Sequence, residues 1–367
     1  MFDKRLYQNF DWGIAATVAA LCLVGMATVY SAVMAMTPAP QGALFVRQAI
    51  WFCIGLTLMS ICCLFDYKAL DKWANVIYVA CVALLVLVFF GGKVVGGAKR
   101  WLDLGPISIQ PSEIMKIAII IIIARYYSKH ADTGGVTMRK LMVPIALTLV
   151  PFILILKQPD LGTALLVCII VGSMTIFVKI EKRAFVFLTI FFLVSIPIVS
   201  FFLKGYQKQR ILTFLNPELD PLNAGYHIIQ SKIAIGSGMI SGKGFLRGTQ
   251  SALSFLPEQH TDFIFSVWAE EWGFIGSMGI LALFLTLILL GLNVAYRCRD
   301  SFGSLLATGI TIMIFWQVFI NIGMVMGLMP VVGVPLPFVS YGGSSVLTMM
   351  ISVGILLNIS MRRFVFD

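Results

Sequence analysis

The sequence predicts an all-α polytopic membrane protein: about ten transmembrane helices, both termini in the cytoplasm, and a long, partly helical outer loop between helices seven and eight. Three observations predict it. Hydrophobic residues make up 59% of the 367 and charged residues only 12%, about half the charged share of a soluble domain, and mean hydropathy is +0.94. Apolar runs long enough to cross ~30 Å of hydrocarbon recur along the whole chain. The Lys and Arg residues between those runs alternate in a way that fits one orientation.

The first run, Trp12 to roughly Val33, carries no charge and is too long for a cleavable signal core, so it reads as a retained span. Further runs at 44–65, 72–91, 112–127, 139–156, 161–178, 184–203, 263–295, 303–328 and 338–361 complete the set. The fourth is short, and its Ile117–Ile123 stretch would equally suit a buried core helix; counting it as a span makes the loop charges alternate. With the N-terminus inside, Lys4, Arg5, Lys68, Lys72, Arg125, Lys129, Arg139, Lys140, Lys179, Lys182, Arg183, Arg297, Arg299, Arg362 and Arg363 fall in the cytoplasm, 15 of the 27 Lys and Arg. Six of the remainder lie in one long outer segment, where the positive-inside rule has little force. The net charge of +10 therefore reflects topology and not a nucleic-acid footprint, and no nucleic-acid motif accompanies it. The chain reads as one integral membrane domain, 1–367, with a large loop at about 204–262.

Cysteine usage agrees. Cys22, Cys53, Cys62, Cys63, Cys81 and Cys168 fall in predicted spans and Cys298 in an inner loop, so no disulfide framework is implied. Adjacent Cys62 and Cys63, with His130, His227 and His260 scattered, do not have metal-ligand spacing.

Polar residues gather on the outer side, in segment 92–111, the Lys157–Asp160 link, segment 204–262 and the Pro-rich turn 329–337. A loop of nearly 60 residues is uncommon unless functional or disordered. Within it, Tyr226, Ile228, Ile229, Ile233 and Ile235 suggest an amphipathic helix on the membrane surface. Gly236, Gly238, Gly242, Gly244 and Gly248 then mark turns or close backbone approach.

Charges in or beside spans are functional candidates by default, because each is costly in lipid. Arg47 sits near the outer end of span two. Glu113 and Lys116 share a face at the start of span four, either as a plain intrahelical pair or as part of an outer cavity. Gln110-Pro111-Ser112-Glu113 is a helix-start signal with Ser112 as a cap, and Asp160 before Leu161-Gly162-Thr163 has the role of an N-cap. Arg100 and Trp101 suit an interfacial anchor or a phosphate contact beside an aromatic platform. Span eight is about a dozen residues too long for one crossing. Counting ~20 residues back from Arg297 puts the hydrocarbon edge near Gly276, with Trp268 and Trp272 at the interface and Asp262, Glu270 and Glu271 above it. A cap from Thr261 or Asp262 is the structural alternative there.

At these residues the chain resembles the shape, elongation, division and sporulation (SEDS) family of polytopic membrane glycosyltransferases, along its whole length. The resemblance rests on Gly97-Ala98-Lys99-Arg100-Trp101-Leu102-Asp103, Gln110-Pro111-Ser112-Glu113, Gln158-Pro159-Asp160-Leu161-Gly162-Thr163, the run Ala224–Gly238, His260-Thr261-Asp262-Phe263, and Pro335-Leu336-Pro337-Phe338-Val339-Ser340-Tyr341-Gly342-Gly343-Ser344. Short loops and the lack of an appended domain favour its elongation branch over its division branch.

The resemblance implies polymerisation of lipid II, the undecaprenyl-pyrophosphate-linked precursor of peptidoglycan, at the outer face of the bacterial cytoplasmic membrane. It implies a class B penicillin-binding protein and the elongation machinery as partners. Asp262 matches the family's essential aspartate and is the expected general base of an inverting transfer. Arg47, Arg100 and Lys116 would hold pyrophosphate, with or without a divalent cation (Mg or Mn) and with no organic cofactor, while Glu113 orients Lys116. Asp160, Lys232 and Glu258 are further candidates by motif membership. A lipid II flippase, and a non-catalytic scaffold for the penicillin-binding protein, are the rival readings.

Overall fold

The computed structural model describes residues 10–34, 42–95, 98–103, 108–130, 135–184, 224–252 and 259–362, with isolated positions 105, 186, 205, 212–214 and 216. Helices α1 (Trp12–Met34), α2 (Gly42–Leu64) and α3 (Lys68–Gly91) are followed by three short strands, β1 (Lys93–Val95), β2 (Ala98–Asp103) and β3 (Ser108–Ile109). Then come α4 (Pro111–His130), α5 (Met138–Lys157), α6 (Leu161–Phe177), α7 (Ala224–Ser237), α8 (Thr249–Ala252), α9 (Ile264–Arg297), α10 (Ser301–Val325) and α11 (Gly343–Arg362).

Among the described residues, seven helices are long and apolar enough to cross a membrane: α1, α2, α3, α5, α9, α10 and α11. The predicted span at 184–203 lies almost wholly outside the described residues. The run at 112–127 takes the form of a core helix: α4 is buried from Met115 to Ala124 and touches α3, α5, α6, α10 and α11. Its neighbours α10 and α11 are buried nearly all round. By contrast α2, α3 and α5 present Leu56, Val76, Val79, Leu87, Met142 and Leu149 outward, the pattern of helices whose outer face meets lipid.

The stretch at 92–111 forms a small antiparallel sheet in the order β1-β2-β3, with Lys93 opposite Trp101 and Leu102 opposite Ile109. Its strands are too short to carry a readable alternation.

The expected amphipathic helix is α7, and its buried face sets Ile228 among small residues. Gly225, Ile228, Ser231, Ala234 and then Gly238 are buried, while Ile233 is exposed. Small residues at that spacing let α7 lie close on α9 and α10. There the Ser231 hydroxyl donates to Val325 O at 2.6 Å and lies 2.8 Å from Ser266 Oγ.

Helix α9 is broken at Gly273, whose φ of 63° and ψ of −157° interrupt the ladder. The stretch Phe274–Arg297 remains long enough to span hydrocarbon alone. The groups freed by the break are taken by residues 239–244. Phe274 N and Ile275 N donate to Met239 O (2.9 Å) and Ile240 O (3.1 Å). Lys243 N and Gly244 N donate to Glu270 O (3.0 Å) and Glu271 O (2.9 Å). The two carboxylates clamp the same segment. Glu270 Oε1 accepts from Lys243 Nζ at 2.7 Å and Thr249 N at 2.8 Å, and Glu271 Oε1 accepts from Leu246 N at 3.1 Å and from the Ser31 hydroxyl.

Two glycines of that region differ in what a side chain would meet. Gly242 has φ +79° and a Cβ there would lie 2.1 Å from Glu271 O, whereas a Cβ at Gly236 meets nothing within 4 Å. Gly242→Ala is expected to cost on the order of 1–3 kcal/mol and to lower the melting temperature in detergent. Gly236→Ala is expected to leave it unchanged or raise it slightly, since Ala is about 0.5–1 kcal/mol better than Gly in a helix.

Candidate active site

The site begins with the first turn of α4. Proline at its first position has no N–H to leave unsatisfied there, and Glu113 N donates to Gln110 O at 3.0 Å. Three residues on, Lys116 Nζ meets Glu113 Oε1 at 2.7 Å, with the lysine side chain 1% and the glutamate 4% exposed. An ammonium without that carboxylate would be prohibitively expensive at this depth. The second oxygen, Glu113 Oε2, is buried and has no partner.

Asp160 is the N-cap of α6, as its sequence position predicts: Oδ1 accepts from Thr163 N at 3.2 Å. Oδ2 accepts from Thr163 Oγ1 at 3.0 Å and Gln110 Nε2 at 3.1 Å. The Gln110 backbone N–H goes to Ser344 Oγ at 3.0 Å. Ser112 is not the cap of α4, because the helix starts at Pro111, and its hydroxyl faces Asp160 Oδ2 at 3.5 Å. One strand away, Arg100 Nε donates to Gln158 O at 3.2 Å and Nη2 to Pro159 O. That grip holds β2 against the α5–α6 turn.

Asp262 lies in the turn before α9, whose N-cap position is Phe263, with no side-chain cap bond from that residue. Asp262 Oδ2 faces the backbone at Gly333, 3.3 Å from where a Cβ would sit. Three consecutive carbonyls of the turn accept hydrogen bonds, two from segment 331–342 and one from α10. His260 O accepts from Tyr341 N at 2.9 Å, Thr261 O from Ser340 Oγ at 2.6 Å, and Asp262 O from Asn321 Nδ2 at 3.0 Å. Gln48 on α2 braces the far side, donating to Ser340 O and accepting from Gly342 N, each at 3.2 Å.

These elements enclose a cavity of about 290 Å³ lined by Arg100, Trp101, Gln110, Glu113, Asp160, Asp262 and Tyr341 among others. Sequence reasoning thus names four of its charged walls, and the fold brings them together from β2, α4, the α6 cap and the α9 entry. Lys116 stands behind Glu113 and does not line it. Arg47 and Lys232 are exposed and do not line it either, which departs from their expected place. On α2 the residue that reaches the site is the neighbour, Gln48. The end of Lys232 lies over Gly327, within 2.7 Å of where a Cβ would be. Glu258 lies outside the described residues. Asn321 and Gln48 were missed, since an amide in an apolar run has no pattern that marks its partners, and Gln110 was read only as part of a helix-start signal.

Among the described residues no group of three or more His, Cys, Asp and Glu could hold a metal. Asp160 already accepts on both oxygens and Glu113 on one.

A bundle of apolar spanning helices that closes a carboxylate-lined polar cavity at one end defines a polytopic membrane protein with a catalytic or binding pocket in its helix termini. The chain belongs to the FtsW/RodA/SpoVE family: the family model, described as cell cycle protein, matches residues 12–364. It is 44% identical to the peptidoglycan glycosyltransferase MrdB of Escherichia coli K12 over 338 residues, covering 91% of this chain and 90% of that protein. It is 33% identical to the peptidoglycan glycosyltransferase RodA of Treponema pallidum, covering 98% and 99%. Among solved structures it resembles a chain of a peptidoglycan synthase complex that coordinates polymerisation and crosslinking, with TM-score 0.82, 31% identity and 98% and 99% coverage. It also resembles the crystal structure of Thermus thermophilus RodA, with TM-score 0.72, 29% identity and 97% and 98% coverage.

Removing one member of the buried pair should cost more than removing both. Glu113→Gln and Lys116→Met are each expected to destabilise by about 3–5 kcal/mol, and the double variant by clearly less than their sum. Thermal melts of the four proteins in one detergent check this.

Proposed function

We propose that this chain is the polymerase of a peptidoglycan-elongation complex. It is a peptidoglycan glycosyltransferase, and its reading as one that joins lipid II units at the outer face of the cytoplasmic membrane rests above all on Asp262. That carboxylate stands in the wall of a cavity whose other charged residues are Arg100, Glu113 and Asp160.

Transfer from a lipid pyrophosphate needs a base for the acceptor hydroxyl and stabilisation of the leaving group. The donor sugar is α-linked and the product β-linked, so a single displacement with inversion suffices and no covalent enzyme intermediate is required. In this reading the acceptor 4-hydroxyl attacks the donor's anomeric carbon as its proton passes to Asp262. The bond from that carbon to the pyrophosphate breaks, and the polyprenyl pyrophosphate departs with the electron pair. Arg100 offers the guanidinium hydrogens it does not spend on Gln158 and Pro159. The Lys116 ammonium, behind Glu113, offsets the negative charge that this carboxylate brings to the cavity wall.

The substrate's two halves have matching surroundings across α4. Glu113 faces the polar cavity. Ile114, Ile117, Ala118 and Ile121 line a second cavity of about 530 Å³, together with Ile61, Trp73 and Ile355, and its walls are almost wholly apolar. A sugar pyrophosphate on one side and a polyprenyl chain on the other would be solvated in kind. A class B penicillin-binding protein is the proposed partner, supported by the likeness to a chain of a synthase complex.

The decisive assay is glycan-strand formation from purified lipid II, with the cognate penicillin-binding protein present and its transpeptidase blocked. Wild type should give polymer, and a well-folded Asp262→Asn should lose 10²–10⁴-fold or more, the range for a positioned general base. Arg100→Ala should slow polymerisation while leaving the product's linkage unchanged. Polymer at the wild-type rate from Asp262→Asn would remove that residue from the chemistry. No polymer from either, with lipid II crossing sealed vesicles, would favour a flippase.

A further inference from the structure

We propose that Asn321 is a positioning residue for Asp262, setting the distance from the proposed base to the opposite wall of the cavity from within the membrane-spanning bundle. The proposal rests on the reading of Asp262 as the base and adds to it the device that aims it.

The turn 259–263 precedes α9 and is neither helix nor strand. The carbonyls of His260, Thr261 and Asp262 accept from groups outside the turn: a backbone N–H at Tyr341, a hydroxyl at Ser340 and the side-chain amide of Asn321. The third is made on the proposed base itself. Asn321 stands on α10 with no exposed surface, and the second hydrogen of the same nitrogen goes to Val334 O at 2.8 Å. One nitrogen therefore ties the backbone of Asp262 to the residue following Gly333, over which Asp262 Oδ2 lies. Base and facing wall are referenced to a single atom.

Few side chains could do this. The geometry needs two donors on one neutral centre, which an amide supplies and a carboxylate, hydroxyl or apolar side chain does not. Aspartate at this place would direct acceptor oxygens at two buried carbonyls, while leucine would leave both unpaired. Ser340 acts one residue upstream and is itself fixed, since its oxygen accepts from Leu336 N at 2.8 Å. A carboxylate that shifts by about 1 Å from its productive position loses on the order of 10²-fold in rate. Substrate binding, made by other walls of the cavity, has no reason to change with it.

The test measures kcat and KM for lipid II consumption by the complex with its penicillin-binding protein, for wild type, Asn321→Asp, Asn321→Leu, Ser340→Ala and Asp262→Asn. Both Asn321 variants should lose about ten- to a hundredfold in kcat with KM within about twofold, and Ser340→Ala should lose less in the same sense. A wild-type kcat in either Asn321 variant, or a loss confined to KM, overturns the proposal. Should neither Asn321 variant fold, Ser340→Ala decides it: reduced kcat at constant KM supports the tether, and an unchanged kcat overturns it. The reading of the base is judged separately. Active Asp262→Asn removes that reading and this proposal with it. Inactive Asp262→Asn beside fully active Asn321 variants removes only the tether.

Discussion

Backbone that leaves the helix inside an apolar bundle must find every hydrogen-bond partner within the protein, because lipid offers none. The working end of this molecule is made by meeting that requirement in three places. At Gly273 the freed amides and carbonyls of α9 are taken by residues 239–244. At 259–263 the carbonyls are taken by Tyr341, Ser340 and Asn321. At 331–342 the amides of Leu336 and Gly342 are taken by Ser340 and Gln48. The second and third of these segments supply cavity walls, and Gln48 of α2 and Asn321 of α10 satisfy their backbone.

The same low dielectric raises the stakes for the charges. Glu113 and Lys116 are both buried, and an ion pair so placed is seldom a net source of stability. Retaining it fixes an ammonium beside a polar cavity while its partner keeps one oxygen, Oε2, unpaired. Glu270 and Glu271 follow another logic. Their Oε1 atoms accept from backbone amides and Lys243 and clamp a loop across a helix break, although each Oε2, like that of Glu113, is buried without a partner. Buried acids in one chain thus have two separate uses, told apart by whether they face an opening or a backbone.

For a transferase acting on a lipid-linked sugar, placing the cavity in helix termini is physically economical. The start of α4 bears polar residues at 110, 113 and 116 and apolar ones at 114, 117 and 121, so one helix separates surroundings suited to the two halves of an amphiphile. The close likeness to peptidoglycan glycosyltransferases along nearly the full chain agrees with such a division.

Hydrophobic run length and loop charge are local properties, and they were enough to determine the class of fold, the limits of most helices, the excess length of α9 and the capping role of Asp160. Asp262, Arg100, Glu113 and Asp160 could also be picked out, because a charge beside an apolar run is conspicuous whatever surrounds it. What the tertiary structure alone decided is which of the candidates meet. Arg47 and Lys232 carry as much charge as Arg100 and point away, while the uncharged Gln48, Asn321 and Ser340 turn inward. Their selection depends on carbonyls distant in sequence, from 13 positions for Asn321 to 292 for Gln48. A one-dimensional pattern holds no record of that, because a hydrogen-bond partner is chosen by place and not by period. For the same reason α7 buries Gly225, Ile228, Ser231 and Ala234 while Ile233 stays outside: the face turned to α9 and α10 is decided by their packing.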